Sequence, residues 1–502
     1  MQSQDYSLLK PAYLVRAVRA ASTGLTALAT AVLAACAVQP AQPADLPAVV
    51  HATAPVAWRI DAPQDAIDAR AWWAQFDDPT LDALLSSVLS GNLDLQAAAE
   101  RVKQAQSITT QKHAALLPQL DFTARGAYER QNTPPPLGYV KQAGAGVALS
   151  WSPDVFGGER LDLLAAQANL VGQQHALDAV RLALAADTAS AYVDLRWAQA
   201  ELKILQDNAA IRQRTLQLTR DRLKYGLSTQ LDVARAQTQL SELQARLPRA
   251  QASIDHQLNL IAVYTGRTPE SVAQLALAAP APIPTAPAGV PQWLPSEALL
   301  RRPDVQAAYA TVQQRAAEVG VARAERYPKF SLNLTDGVLA SSYLGLPTLT
   351  DNLFSAALSA TSPIFNAGRI TADIEQSESR MRESQLNLQQ TLLQALREVE
   401  DSRSDLVSTA GQTQQLHDAV ASSGQALKLA NQLYKGGAAD FLDVLSAQQT
   451  WLADADLLND AQRERALAAV ALYRSLGGGW SKRGELVAGS SSAPATSVAQ
   501  GG

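Results

Sequence analysis

The chain contains itself twice. Lys224-Tyr225-Gly226-Leu227-Ser228-Thr229-Gln230-Leu231-Asp232-Val233-Ala234-Arg235-Ala236-Gln237 returns as Lys435-Gly436-Gly437-Ala438-Ala439-Asp440-Phe441-Leu442-Asp443-Val444-Leu445-Ser446-Ala447-Gln448. The shared frame is K-x-G, then Leu-Asp-Val, then Ala-Gln, with Asp232 and Asp443 standing 211 positions apart. Other landmarks follow in the same order at an offset of 210 or 211: Asp94-Leu95-Gln96 with Asp304-Val305-Gln306, Pro118 with Pro328, Pro153 with Pro363, and Gly266 with Gly477. A period this long exceeds that of an ordinary solenoid, so the chain reads as a tandem duplication, two halves of one fold.

Each copy of the stretch lies between long runs rich in Ala, Leu, Gln and charge. Glu159 to Lys224 holds no proline, and Gly172 is its only glycine. At 1.5 Å per residue this spacing predicts one helix of about 95 Å. A second proline-free run covers Arg369 to Lys435. The return helices, Thr229 to Tyr264 and Asp440 to Leu476, are shorter, with Pro248 a possible kink in the first. Gly226 and the Gly436-Gly437 pair are suited to reversing the chain, because glycine tolerates positive φ at a helix end. Each copy is therefore expected to form the tip of a long helical hairpin. Helices of this length must pack on each other or on other copies of the chain.

After Pro118 the apolar period changes to two. Leu120, Phe122 and Ala124 alternate with Asp121, Thr123 and Arg125, and beyond Pro134-Pro135-Pro136 come Val147, Leu149 and Trp151. The second half repeats this with Phe330, Leu332 and Leu334, then Phe354, Ala356, Leu358 and Ala360. Small polar residues on one face and apolar ones on the other fit membrane β-barrel strands, and equally a soluble sheet with one wet face. Four strands cannot close a barrel alone. Membrane insertion would therefore require several chains, because lipid tolerates no open sheet edge.

The head of the chain carries an address. Lys10, Arg16 and Arg19 precede an apolar run ending Leu33-Ala34-Ala35-Cys36, which has the form of a secretory signal. Cys36 is the single cysteine, so no disulfide forms within the chain. Residues 37 to 63, rich in Pro and Ala without periodicity, read as an extended tether. Trp72-Trp73 reads as packing, and Asp78-Pro79-Thr80 as a helix start for a helix lightly broken near Gly91-Asn92. The expected divisions are 1–35 signal peptide, 36–70 tether, 71–268 first repeat, 269–296 linker over the outside of the helical body, 297–480 second repeat, and 481–502 disordered tail.

A net charge of −5 and the lack of a basic patch argue against nucleic acid. His51, His113, His175, His256 and His417 are scattered without ligand spacing, so neither a metal site nor an enzyme is expected.

Leu33-Ala34-Ala35-Cys36, Trp72-Trp73-x-x-Phe76-x-Asp78-Pro79-x-Leu81, Arg302-Pro303-Asp304-Val305, Val319-Gly320-Val321-Ala322-Arg323-Ala324, Pro363-Ile364-Phe365, Leu442-Asp443-Val444 and Leu476-Gly477-Gly478-Gly479-Trp480 together resemble the TolC-like outer-membrane factor family, in its lipoprotein branch. That resemblance implies a mainly α chain whose hairpins build an α-barrel. Its four strands would complete a twelve-stranded β-barrel in a homotrimer. It implies an exit duct in the bacterial outer membrane, reaching into the periplasm and docking a periplasmic adaptor and an inner-membrane transporter of RND type. Cys36 would carry the only prosthetic group, a covalent lipid; alternatively the head is a plain signal peptide. Adaptor contacts would fall at Tyr225, Gly226, Leu227, Gly436, Gly437 and Ala438. A periplasmic aperture on the last helix would involve Tyr434, Leu442, Asp443, Ser446 and Gln449. Ser446 and Gln449 depart from the acidic and basic residues other members carry there, which argues against an aperture locked by salt bridges. Asp443 could ring the aperture or simply cap its helix. The rival reading is a lipid-anchored periplasmic coiled-coil scaffold without a channel.

Overall fold

The computed structural model describes residues 38–60, 64–65, 69–131, 138–272, 277–285, 290–291, 293–343 and 348–478. The expected signal peptide, Cys36 and the tail 481–502 lie outside them. The chain forms two compact units. One is built from Arg101–Gln174 and Ala307–Leu388 with the segment before Leu46; the other from Leu46–Glu100, His175–Gln306 and the chain after Leu388.

The first unit holds a four-stranded antiparallel sheet, β1 (Gln119–Gln131), β2 (Gly138–Trp151), β3 (Lys329–Tyr343) and β4 (Leu349–Thr361), hydrogen-bonded in that order. Each half contributes one hairpin, and β2–β3 is the seam between halves. The register stacks like on like. Leu120 opposes Leu149, Leu149 opposes Leu334, and Leu332 opposes Leu358. On the other face the Ser331 and Ser359 hydroxyls meet at 2.7 Å, and those of Thr335 and Ser355 at 2.6 Å. Among the described residues nothing covers the apolar face: Phe122 is 72 % exposed and Leu358 75 %. At the seam Gly146 opposes Gly337. A Cβ added to Gly146 would lie 2.7 Å from the Asp336 carbonyl oxygen, and one on Gly337 2.8 Å from that of Ala145, so only glycine allows this approach.

The second unit is helical, and four of the helices named below also have residues in the first. Helix α1 (Leu46–Thr53) buries Leu46 and Val50, an i, i+4 pair. The expected extended tether is thus partly helix, because that pair finds an apolar surface to cover. Asp78 caps α2 (Pro79–Gly91): its Oδ1 accepts from the Thr80 and Leu81 amides at 2.9 and 3.2 Å. Asn92 separates α2 from α3 (Leu93–Ala114), its Oδ1 accepting the Leu95 amide at 2.9 Å. Two long helices follow their strands, α4 (Gly158–Lys224, 67 residues) and the later α8 (Arg369–Gly436, 68 residues). Their return helices are α5 (Gln230–Tyr264) and α9 (Phe441–Ser475), 35 residues each. Pro248 lies inside α5 without ending it. The second half opens with α6 (Pro295–Arg301) and α7 (Pro303–Ala324).

The unit is cored by Trp72, fully buried, which stacks on Tyr473 at 5.4 Å and meets Trp73 and Phe76 edge-on. The second carboxylate oxygen of Asp78 accepts the Tyr192 hydroxyl at 2.6 Å, and burial together with this bond pushes the phenol up to about 12. The segment after α5 does not merely cross the outside. Leu277 is buried in this core, its carbonyl accepting from Gln199 at 2.9 Å, and Arg196 donates to the Ala279 carbonyl at 2.7 Å. Carbonyls brought under cover need partners, and buried donors on α4 supply them.

Candidate functional site

The two hairpin tips have the same backbone. At the end of α4 the Gly226 amide donates to Leu223 O at 3.0 Å and the Leu227 amide to Arg222 O at 2.9 Å. At the end of α8 the Gly437 amide donates to Tyr434 O at 3.1 Å and the Ala438 amide to Leu433 O at 2.9 Å. Both are Schellman closures, with Gly226 at φ 70° and Gly437 at φ 77° in the left-handed position. Gly436 is the last residue of α8, so of the glycine pair only Gly437 makes the reversal. Each return helix opens on an aspartate at its third position. Asp232 accepts from the Thr229 amide at 3.1 Å and hydroxyl at 2.8 Å; Asp443 accepts from the Asp440 amide at 3.1 Å.

Beneath the tips lies a small core of Leu216, Ala236, Leu240, Tyr434, Phe441 and Val444, drawn from all four long helices. Tyr434 is buried here and lies on α8, not on the last helix, and its ring meets Phe441 at 5.9 Å. Its ring is covered by apolar side chains of this four-helix core rather than by water. Arg222 of the first half reaches across: its guanidinium lies 4.6 Å over the Tyr434 ring and donates to Tyr434 O at 2.6 Å. A cation thus closes the carbonyl end of α8, where the helix dipole favours it. Arg222→Gln should loosen this end by roughly 1–2 kcal/mol, seen as faster amide exchange over residues 430–437; unchanged exchange would show that Arg222 holds nothing.

Above the tips, α4 and α9 are joined by an antiparallel polar ladder. Going down α4, Asp187 pairs with Arg474 (3.1 Å) and Asp194 with Arg463 (2.6 Å). Trp197 Nε1 donates to Asp460 (2.8 Å), and Gln448 donates to Thr215 in a buried bond of 2.9 Å. Arg246 of α5 bridges Glu201 and Asp456 at 2.7 and 2.9 Å. Burial first, then the Asp456 charge, raises the Glu201 carboxyl above its usual range. Arg246 and Asp456 are 210 positions apart, as are Gln239 and Gln449, which meet at 3.4 Å. The two return helices therefore lie side by side at equal height.

A family model described as outer membrane efflux protein matches residues 84–267 and again 294–478. The chain belongs to the outer membrane efflux protein family. The two matched segments begin 210 positions apart, so the duplication is the family's own frame. The chain is 30 % identical over 449 residues to the pyoverdine export outer membrane protein OpmQ of Pseudomonas aeruginosa, covering 85 % of this chain and 91 % of that one. The solved outer-membrane channel OprN is 29 % identical with a TM-score of 0.75, over 85 % of this chain and 99 % of that one. The outer membrane protein VceC of Vibrio cholerae is 25 % identical with a TM-score of 0.73, over 83 % and 100 %. The protein is thus an outer-membrane efflux channel of a tripartite pump, combining the α-hairpins and β-barrel strands of that fold.

In this efflux channel Tyr225, Gly226, Leu227, Gly436, Gly437 and Ala438 come together at the exposed tips, with Tyr225 80 % and Leu227 64 % exposed. Leu442, Asp443, Ser446 and Gln449 are exposed along one stripe of α9. Arg222, Arg246 and the ladder were not anticipated from sequence. One signal was available: Asp187, Asp194 and Glu201 recur every seven residues, the spacing of one helix face. Burial raises the Asp232 carboxyl, but bonds from Thr229 and Ser228 outweigh it and hold the group below its ordinary range. A depressed acid stabilises above its unfolded value, about 3.9, and loses that contribution as pH falls through the folded one. Exchange at the first turn of α5 should accelerate only in acid, and Asp232→Asn should abolish that dependence.

Proposed function

We propose that three copies of this chain close one wall in the outer membrane and a helical duct beneath it, through which a partner pump expels small toxic molecules. The observation that carries this is the sheet, four strands whose outer edges and apolar face are left open by the described residues. Lipid accepts an apolar face but no open edge, and three copies supply twelve strands. Cys36 bears the lipid that ties the chain to the outer membrane. The exposed tips dock onto a periplasmic adaptor, which joins them to an inner-membrane transporter of RND type. The chain performs no catalysis, and energy comes from the transporter. Deleting the protein should sensitise cells to exported compounds; unchanged sensitivity to every compound tested would count against it. Cys36→Ser should remove the acyl mass yet leave the protein in the outer-membrane fraction, whereas a scaffold held only by lipid would be released.

Leu442, Asp443, Ser446 and Gln449 line the periplasmic aperture in this reading. Three copies of Asp443 around one axis repel each other and attract cations. Asp443 also caps α9, so Asp443→Asn is the sharper substitution: it removes charge and keeps an acceptor. It should alter cation leak through reconstituted channels, and Asp443→Ala should raise leak further. Leak identical to the parent in both would remove Asp443 from the aperture.

A further inference from the structure

The apolar face of the first hairpin ends in a cluster that the second hairpin lacks. On that face Leu120 opposes Leu149, Phe122 opposes Val147 and Ala124 opposes Ala145. Past Gly126 and Ala143 come Tyr128 opposite Lys141 and Arg130 opposite Tyr139. The two phenol rings stack at 5.2 Å with an interplanar angle of 1°. Lys141 Nζ lies 5.7 Å over the Tyr128 ring, and the Arg130 guanidinium 5.9 Å over the ring of Tyr139. Each cation is held against the negative face of a ring, while Tyr128 and Tyr139 stay 63 % and 53 % exposed.

Among the described residues no carboxylate pairs with either cation. Residues 131–140, which lie between them in the chain, hold no acid. Glu129 belongs to the opposite face by the alternation of the strand. Asp336, the one carboxylate that the described strands place on the apolar face, opposes Val147, about 20 Å along β2 from Lys141. Folding does not require the cluster. The second hairpin follows the first with an offset of 210 from β1 to β3 and 211 from β2 to β4, and there Val338 opposes Asn352 and Ala340 opposes Thr350.

The height of the cluster indicates what it meets. Trp151 closes the same face at the end next to the helices, its Nε1 donating to the Leu116 carbonyl at 3.1 Å. The strand from Trp151 to Lys141 is about 33 Å long. At a barrel tilt of about 40° it rises about 25 Å, the height of the apolar band of a membrane barrel. In the wall proposed above, Trp151 then stands at one membrane interface. The tyrosine–cation cluster stands at the other, farther from the helical duct, at the level of lipid headgroups.

We infer that Arg130 and Lys141 bind the phosphorylated headgroup of a lipid in the outer leaflet. Two positive charges held in place without a counterion attract phosphate. Arg130 offers it a planar pair of donors and Lys141 a compact point charge. The residues directly beneath, Ala124, Gly126, Ala143 and Ala145, are small, so the acyl chains of the same lipid approach the sheet closely between Phe122 and the Tyr128 ring.

This inference rests on the membrane wall proposed above, and the test keeps the two apart. Purified full-length protein in detergent is mixed with bisphosphorylated lipid A, with lipid A stripped of both phosphates, or with the first lipid and excess inorganic phosphate. Bound lipid is counted by native mass spectrometry. The parent should retain the phosphorylated lipid about tenfold better than the stripped one. Arg130→Gln/Lys141→Gln should lose that preference, and Arg130→Lys/Lys141→Arg should keep it. Equal preference in the parent and the glutamine pair would overturn the site. Release of the lipid by inorganic phosphate would make it a site for the free anion and overturn the lipid assignment. The wall has its own readout: Phe122→Trp in vesicles of brominated phosphatidylcholine should be quenched beyond the parent. Quenching without the phosphate preference would overturn the headgroup site alone; no added quenching would overturn both.

Discussion

Trp72→Ala should destabilise the folded chain by about 3–5 kcal/mol, the usual result of emptying a large buried aromatic site. Trp72 is fully buried, stacks on Tyr473 and touches Trp73 and Phe76, so it ties the segment before α2 to the last turn of α9. Tyr473 belongs to a long helix held at other points by Arg463 and Arg474, which limits collapse into the space. Denaturant titration of the detergent-solubilised protein reads the effect as a lower midpoint at unchanged slope. Trp72→Phe, which keeps a ring against Tyr473, should recover a large part of the loss. A loss below about 1 kcal/mol for the alanine variant would mean that this core is not what holds the first segment.

Arg302→Met should be nearly as damaging, at about 3 kcal/mol. The Arg302 guanidinium is almost wholly enclosed and donates to Asp304 at 2.7 Å, Glu398 at 2.7 Å and the Ser475 carbonyl at 2.7 Å. Removing it leaves two carboxylates and a buried carbonyl without their cation. Both carboxylates keep part of their surface in water (42 % and 45 %), which places the cost at the low end for a buried pair. Adding Glu398→Gln should restore some of the loss, by relieving one unpaired charge; no recovery would show that the Ser475 bond dominates. The first half answers with a neutral version of the same contact. Asn92, 210 positions before Arg302, donates to the Tyr264 carbonyl at 3.0 Å, and Tyr264 stands 211 before Ser475. Each half thus fastens the start of its strand-bound helix to the end of its return helix.

Hairpins and strands were legible in the sequence because local rules dictate them. Gly226 and Gly437 mark the reversals, Asp78-Pro79 opens a helix, and the period-two alternation of Leu120-Phe122-Ala124 predicts a strand face. The side-chain bonds between halves were not. Arg222 and Tyr434 are 212 positions apart, and Asp187 and Arg474 287; nothing beside either residue announces the other. The helix at Leu46–Thr53 and the burial of Leu277 were missed for a related reason. Short segments rich in Ala and Pro take their structure from the surface they meet. Tyr434 illustrates the same limit, since motif position put it near the aperture and packing put its ring under the tip.

Electrical recording tests most directly whether this chain forms a conduit. Purified full-length protein added to a planar lipid bilayer should insert and produce discrete current steps of uniform size. Bilayers that stay electrically silent, although the folded protein is shown to be inserted, would contradict it.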